Sequence, residues 1–241
     1  MEQKEISRTA KPPAQNRLLA ALPRKVYGRL AQHLEPVTLA FGEVLHESGS
    51  RIRHAYFPLD GLISLLTVVG KAKATEIGIV GNEGVVGASA ALGIDTAQQR
   101  AVVQGAGTAL RIASARLQSE CSAHENWYRE LFRFTNALMH QAAQTAACNR
   151  FHAVEPRLAR WLLATRDRVH SNYFQITHEF LSQMLGVRRV GVTEAAANLQ
   201  KRKLITYTRG NIQLLDPAGL EASACECYGA VRAMYRRSYK G

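Results

Sequence analysis

The spacing of apolar residues changes along the chain and divides it into stretches of different secondary structure. Residues 16–34 carry apolar side chains at helical spacing, interrupted at Pro23, which predicts two short helices. Residues 36–112 instead contain short apolar runs separated by glycines, a pattern typical of a β-sandwich or jelly roll. Helical spacing returns from Ser114 to His152, and Val154 to Val169 forms a further predicted helix.

The predicted helix from Ser114 to His152 carries an apolar stripe that has two interpretations. The stripe recurs in steps of three and four and passes from large to small side chains: Trp127, Leu131, Phe134, Leu138, Ala142 and Thr145. Such a stripe packs either on the chain's own N-terminal domain or along the seam of a dimer. Because the helix is long and lies between two domains, we favour the seam and expect a homodimer.

Residues 176–205 carry the pattern of a helix-turn-helix. Thr177 is a capping residue for a helix that begins at His178, and Gly186 allows a tight bend because glycine adopts positive φ freely. The positions that face inward across the bend hold apolar or small residues: Leu181, Ser182, Leu185, Val187, Val192 and Ala195. Helical hairpins of other kinds share this packing, so the motif alone is moderately specific.

The residues around this motif complete the predicted DNA-binding unit. Ser171–Tyr173 is a predicted loop before it, and Arg209-Gly210-Asn211 lies between two apolar runs, which predicts a β-hairpin with a cation at its tip. Asp216-Pro217 then begins a last predicted helix, in which Cys227 and several apolar residues face inward. A hairpin wing directly after a recognition helix favours DNA binding.

The start of the second helix carries the residue types that read base edges. In a helix-turn-helix this part enters the major groove, where arginine pairs with guanine, glutamate with cytosine, and small apolar groups with the thymine methyl. The candidates for base contacts are Arg188, Arg189, Val190, Thr193 and Glu194. The candidates for phosphate contacts are Asn198, Lys201, Arg202, Lys203 and Arg209.

The charge of the chain agrees with a polyanionic partner. Lys and Arg number 31 against 19 Asp and Glu, a formal net charge of +12. Residues 153–241 hold 14 Lys and Arg against 7 Asp and Glu, so this third of the chain carries +7 of the excess. Such an excess favours nucleic acid or an acidic membrane surface. The chain has no apolar run long enough for a transmembrane helix, so we expect no membrane partner.

The four cysteines and the N-terminus indicate a cytoplasmic protein. Cys121, Cys148, Cys225 and Cys227 are scattered, which is typical of a reducing compartment rather than a disulfide framework. Residues 1–15 lack the apolar core of a signal peptide and are predicted to form a disordered arm.

Several of these features together resemble the Crp/Fnr family of bacterial transcription factors. The residues that carry the resemblance are the predicted turns Gly42-Glu43-Val44-Leu45, Gly49 and Tyr56–Gly61, and the T-x-E-x-L-x-x-x-L-G-V-x-R stretch from Thr177 to Arg189. The resemblance spans about residues 16–216. It implies a homodimer in which a sensor domain controls DNA affinity, with RNA polymerase as a further partner of an activator.

The chain departs from the family at the effector site. Family members that bind cyclic nucleotides hold the ribose with a Glu and the phosphate with an Arg. The corresponding residues of this chain are Gly87, Ala88, Ser89, Gln99, Arg100 and Ala101. Ala88 cannot accept a hydrogen bond and Gln99 cannot neutralise a phosphate, whereas Arg100, one position away, leaves a shifted phosphate contact open. We therefore expect that cyclic AMP is not the effector.

No metal or cofactor is expected from the sequence. The oxygen-sensing members of the family carry an N-terminal cysteine cluster, and this chain has no cysteine before Cys121. Cys225 and Cys227 lie two residues apart on a predicted helix and should point to opposite sides, a poor chelate. We interpret them as buried small residues.

The operator should also differ from that of the cyclic-nucleotide activator. Arg189 is retained, but Val190 and Glu194 stand where that activator has Glu and Arg.

The sequence thus predicts an α+β protein with four parts. They are a disordered arm (1–15), a β-roll sensor domain resembling the cyclic-nucleotide-binding roll (16–113), a connecting dimerisation helix (114–152) and a winged helix-turn-helix domain (153–241). The predicted function is dimeric, sequence-specific transcriptional regulation through an inverted-repeat operator. The alternative is a protein-interaction or small-molecule-binding β-roll whose helix-turn-helix does not bind DNA. No nucleophile–base pair, phosphate loop or metal motif favours an enzyme.

Overall fold

The computed structural model describes residues 15–70 and 73–238. The predicted arm, residues 1–15, lies outside the described residues except for Gln15. Within the described ranges, no helix combines the length and apolar character needed to cross a bilayer.

Two short helices begin the described chain, as predicted. Helix α1 spans Arg17–Ala20 and α2 spans Arg24–Ala31, with Pro23 between them. Asn16 fixes them to the following domain: its side-chain oxygen caps α1 at the Leu19 amide, and its Nδ2 donates to the carbonyl oxygens of Pro58 and Gly84. This fully buried amide holds α1 against the end of β3 and the segment around Gly84, which are distant in sequence.

The predicted β-roll consists of seven antiparallel strands in two sheets. The strands are β1 (Glu35–Leu39), β2 (Val44–His46), β3 (His54–Pro58), β4 (Leu62–Val69), β5 (Lys73–Val80), β6 (Arg100–Gly105) and β7 (Gly107–Ala113). One sheet has the order β1-β7-β3 and the other β2-β6-β4-β5. A short helix, α3 (Ala88–Ala91), lies between β5 and β6. Gly42 and Gly49 adopt the positive φ that tight turns require, which the glycine pattern had predicted.

The connecting segment forms two helices where one was expected. Helix α4 spans Ser114–Ala123 and α5 spans Glu125–Phe151, and His124 between them is extended (φ −143°, ψ 111°). The prediction of one continuous helix was wrong. The break at His124 redirects the chain so that Trp127 enters the core of the roll.

The apolar stripe of α5 faces the chain's own roll. Trp127, Leu131 and Phe134 are fully buried in the same core as the roll's Phe57 and Ile63. The rest of the stripe lies along the same side: Leu138 packs against that core, Thr145 is buried and Ala142 is half-buried. The assignment of Trp127, Leu131, Phe134 and Thr145 to a dimer seam was therefore wrong, because the chain itself already buries them. The assignment of the half-buried Leu138 and Ala142 stays a prediction.

The C-terminal domain follows directly from α5. Its helices are α6 (Val154–Val169), α7 (His178–Leu185), α8 (Arg189–Lys201), α9 (Pro217–Ser223) and α10 (Cys227–Ser238). Its strands are β8 (Tyr173–Gln175), β9 (Ile205–Thr208) and β10 (Asn211–Leu214), in the sheet order β8-β10-β9. The wing thus has three strands, and the prediction of a loop at Tyr173 was wrong, since Tyr173 pairs with Gln213.

The last predicted helix is also two helices. Asp216 caps α9 as predicted, accepting from the amides of Ala218 and Gly219, but the chain is extended at Ala224 (φ −75°, ψ 153°) and α10 begins at Cys227. Cys225 therefore lies before the helix rather than on it. The prediction that Cys225 and Cys227 point apart was wrong, because both thiols approach Cys148 and His152.

A buried polar chain joins the roll to the C-terminal domain. Glu76 on β5 accepts a hydrogen bond from Trp161 Nε1 on α6 (3.1 Å), and its other carboxyl oxygen lies 2.7 Å from Ser64 Oγ. Ser64 Oγ lies 2.5 Å from Gln104 Oε1, and Gln104 Nε2 donates to Thr165 Oγ1 on α6 (2.8 Å). The two domains are therefore connected by specific hydrogen bonds as well as by apolar packing.

Candidate nucleic-acid interface

Local sequence signals set the geometry of the helix-turn-helix. Thr177 Oγ1 accepts from the Phe180 amide (3.1 Å) and caps α7, as predicted. Gly186 ends α7 with φ 61°, and Arg188 in extended conformation begins α8. Two features disfavour a side chain at this bend: the positive φ of Gly186, and Thr75 Oγ1 of the roll, which would lie 2.8 Å from an added Cβ.

The packing between α7 and α8 orients the second helix. Five of the predicted inward residues are buried, namely Leu181, Ser182, Leu185, Val192 and Ala195. The sixth, Val187, is half-buried against the same core. Leu199 extends this buried face to the end of α8. Because the buried residues occupy one side of α8, the opposite side faces solvent along the whole helix.

The predicted base-reading residues all lie on the exposed side at the start of α8. They are Arg188, Arg189, Val190, Thr193 and Glu194. Val190 is 65% exposed, although it is a large apolar residue. Burial in the protein core does not explain an apolar side chain on this open face next to Arg188 and Arg189, whereas contact with a base methyl group would.

Two residues that the sequence analysis missed hold this surface in place. His178 Nδ1 lies 2.9 Å from Thr193 Oγ1, and its ring stacks on Tyr207 of the wing, with centroids 4.2 Å apart and planes at 18°. Burial, with the positive charge of Arg189, lowers the pKa of His178. No periodic signal marks these positions, because the contact joins three elements that only tertiary packing brings together.

Two of the predicted phosphate ligands contact protein groups instead. Asn198 Nδ2 donates to Glu155 Oε2 (3.1 Å), and Arg202 donates to Glu155 Oε1 (3.0 Å) and Ser223 Oγ (2.7 Å). These bonds join the end of α8 to α6 and α9. Asn198 Nδ2 and the two terminal guanidinium nitrogens of Arg202 are therefore engaged by protein groups that hold the end of the helix in place.

The other three predicted phosphate ligands are exposed around the wing. Arg209 and Gly210 form its tip with φ of 49° and 83°, the backbone of a type I′ turn. Lys201 and Lys203 lie at the end of α8 and just beyond it. With Arg188 and Arg189 they make five exposed cations, and none of the five forms an ion pair with another described residue. This surface can bind a polyanion at several points.

The predicted effector residues lie around α3 and the start of β6. Gly87 precedes α3 with φ 86°, and Ala88 and Ser89 are in the first turn of α3. Gln99 lies just before β6, Arg100 begins that strand, and Ala101 is buried in it. Arg100 Nε lies 3.2 Å from Glu47 Oε2, so a carboxylate already neutralises the one cation that was available for a phosphate.

A separate cavity of about 580 Å³ lies between the roll and the C-terminal domain. Glu76 of β5, Gln141 of α5, Arg160 of α6 and Tyr235 of α10 are among its lining residues. None of the six predicted effector residues lines this cavity, although its volume suits a small molecule.

Comparison with known proteins identifies the C-terminal domain and the fold. Residues 156–223 match the model of the Crp-like helix-turn-helix domain. No curated protein sequence gives a significant match.

Solved structures with the same fold cover most of the chain. FixK2 from Bradyrhizobium japonicum is 12% identical, covers 80% of this chain and 98% of its own, and gives a TM-score of 0.65. A CRP-family transcriptional regulator from Thermus thermophilus is 19% identical over 78% and 96%, with a TM-score of 0.65. The c-di-GMP responsive global regulator CLP from Xanthomonas campestris is 15% identical over 78% and 97%, with a TM-score of 0.64. At these identities the likeness is one of fold.

Proposed function

We propose that this chain is a Crp/Fnr-family regulator, that it is a dimer and that it binds specific DNA sequences, a proposal supported by its Crp-like helix-turn-helix domain and its fold. The observation that carries the proposal is the exposed start of α8. There Arg188, Arg189 and Val190 face solvent, and neither arginine is paired with a described acidic residue. Solvation alone does not explain two unpaired arginines beside an exposed valine, whereas a recognition helix in a major groove uses such residues to contact bases.

The three groups at the helix start suit different roles. Arg189, on the first turn of α8, is the candidate for a bidentate bond to guanine, and Val190 is the candidate for contact with a thymine methyl. Glu194, one turn beyond Val190, offers an acceptor for the cytosine amino group. Lys201, with Lys203 and Arg209, supplies phosphate contacts that fix the orientation of the helix.

The dimer uses the face of α5 that points away from the roll. This 27-residue helix exposes Phe132 (76%), Met139 (61%) and Tyr128 (45%). Together with three exposed small residues they recur in steps of three and four: Tyr128, Phe132, Thr135, Met139, Ala143 and Ala146. Two copies packed on this face form a two-fold interface, which presents two recognition helices to an inverted repeat.

The β-roll is the sensor domain in this proposal, and its effector is not a cyclic nucleotide. Ala88 offers no side-chain acceptor for a ribose hydroxyl, and Arg100 is paired with Glu47. The hydrogen-bonded chain from Glu76 and Gln104 to α6 supplies a physical route from the roll to the DNA-binding domain.

Selection of bound sequences from random duplex DNA tests the proposal. The expected product is an inverted repeat whose half-sites lie about one helical turn apart. Enrichment of no common sequence, with a chain that remains folded, would instead favour a protein-interaction or small-molecule-binding role.

A further inference from the structure

Four side chains with metal-binding atoms converge where α5 ends and α10 begins. Cys148 lies in the last turn of α5, and His152 caps that helix. Cys225 lies just before α10, and Cys227 is the first residue of α10. Their ligating atoms all lie within 4.8 Å of one another. The three thiols are buried and His152 is half-buried.

Two of the distances in this cluster match the edges of a tetrahedron around one ion, and the other ligating atoms lie within 4.8 Å of one another. Zinc binds thiolate sulfur at about 2.3 Å and imidazole nitrogen at about 2.0–2.1 Å, which gives tetrahedral edges of about 3.8 Å between sulfurs and about 3.6 Å between sulfur and nitrogen. Cys148 Sγ and Cys225 Sγ are 3.5 Å apart, and Cys227 Sγ and His152 Nδ1 are 3.6 Å apart. We propose that Cys148, His152, Cys225 and Cys227 bind a single zinc ion.

The donor set narrows the choice of ion. Three soft thiolates and one imidazole suit zinc, whereas calcium and magnesium require oxygen ligands. All four positions are filled by protein groups, which is the arrangement of a structural rather than a catalytic site. Binding replaces the thiol protons of the three cysteines, which pass to solvent, and involves no change in oxidation state.

A carboxylate already orients the histidine. His152 Nε2 lies 3.1 Å from Glu226 Oε1, and this contact directs Nδ1 towards the thiols. Histidines that bind metals usually donate their other ring nitrogen to a carboxylate or carbonyl in this way.

Buried cations compensate the charge of such a site. Three thiolates and one zinc ion carry a net charge of −1. Arg157 and Arg160 of α6 are 5% and 9% exposed, and the Nε of each is buried without a hydrogen-bond partner among the described residues. Both guanidinium groups interact electrostatically with Cys148 and so offset that charge.

The site lies at the junction between the two domains. Helix α6 begins at Val154, two residues after His152, and the Cys225 amide donates to the carbonyl of Pro156 (3.4 Å). A bound ion would fix α10 to the end of α5 and so hold the C-terminal domain relative to the roll. An effect on DNA affinity rests on the proposed function, whereas the binding of zinc does not.

Metal analysis of the purified full-length chain tests the proposal. The chain is freed of any affinity tag, exposed to Zn²⁺ under reducing conditions and desalted before mass spectrometry of its metal content. We expect one zinc per chain, and loss of that zinc in Cys148→Ser and in His152→Ala. Cys121→Ser is the matched control, because Cys121 is a buried cysteine remote from the cluster, and it should retain the ion. A wild-type chain without stoichiometric zinc, or variants that keep it, would overturn the site.

A milder variant covers the case in which ligand variants do not fold. Glu226→Gln keeps all four ligands and should weaken zinc about 10- to 100-fold in competition with a chromophoric chelator. Unchanged affinity would count against the site, as would a Cys148–Cys225 disulfide that persists in the wild-type protein under the same reducing conditions. Operator binding is measured separately with and without zinc. If the chain binds zinc but does not bind DNA, the zinc site stands and only the proposed function is contradicted.

Discussion

Glu76 is a single residue whose surroundings favour the protonated form. It is buried, and burial raises its pKa from 4.5 to about 7. The geometry agrees, because Ser64 Oγ has one proton and lies within hydrogen-bond distance of both Glu76 Oε2 and Gln104 Oε1. If Ser64 donates to Gln104, a protonated Glu76 donates to Ser64 and all three groups are satisfied.

Glu76→Gln should remove a pH dependence of stability. The folded chain retains the Glu76 proton up to about pH 7, and the unfolded chain releases it near 4.5. The contribution of Glu76 to the free energy of unfolding is therefore fully present below pH 4.5 and is lost as the pH rises through 7. The free energy of unfolding falls by at most about 1.4 kcal/mol per pH unit in this range. Urea unfolding between pH 5 and 8 should show this decline in the wild type and a flatter profile in the variant. Parallel profiles would mean that Glu76 is ionised in the fold.

Short-range residue signals predicted the helix-turn-helix well. Thr177 and Gly186 act through their own backbone and the next few residues, so their roles can be read without knowing the rest of the fold. His178 and Glu155 could not be found in this way. His178 contacts Thr193 and Tyr207, and Glu155 contacts Asn198 and Arg202. These partners lie in other elements, up to 47 residues away along the chain.

At the scale of elements, α5 shows what periodicity leaves undecided. The stripe that begins at Trp127 was correctly predicted to be buried on one face, but the surface that covers it is the chain's own roll. The break between α9 and α10 was missed for a similar reason. Ala224, Cys225 and Glu226 include no glycine or proline, and the extended turn depends on tertiary contacts such as that of Cys225 with Cys148.

Met139→Glu should disrupt the proposed dimer. A carboxylate on the exposed face of α5 would be placed opposite its own copy in a two-fold interface, where like charges repel and lose water. We expect sedimentation at micromolar concentration to give a dimer for the wild type and a monomer for the variant. Ile94→Glu is the matched control, since Ile94 is similarly exposed (55% against 61%) but lies in the loop after α3. A monomeric wild type would contradict the dimer.

At the scale of the whole molecule, the order of the parts was predictable and their connections were not. A roll, a connecting segment and a winged helix-turn-helix follow from the change in apolar spacing near Pro36 and Ser114 and from the motif at Thr177. The cavity between the domains, the polar chain through Glu76 and the cysteine cluster each combine residues from distant segments. No local pattern records such combinations.

Cyclic AMP and cyclic GMP should not bind the chain with micromolar affinity. Ala88 lacks the acceptor for the ribose, and Arg100 would have to leave Glu47 to reach a phosphate. Isothermal titration calorimetry at 25 °C should show no saturable heat with either nucleotide. Tight binding would contradict the prediction, and its loss in Arg100→Ala would locate the phosphate at that residue.

Discrimination between the selected operator and a scrambled duplex of equal length tests the central claim most directly. Fluorescence anisotropy at near-physiological salt should give the wild type a preference of at least about 10³-fold. Arg189→Ala should lose roughly 1–3 kcal/mol of operator affinity and relax one base pair per half-site. Lys201→Ala should weaken both duplexes alike and flatten the salt dependence. Sequence-specific binding would be contradicted if the wild type bound both duplexes with equal affinity and if neither Arg188→Ala nor Arg189→Ala changed that affinity at low salt.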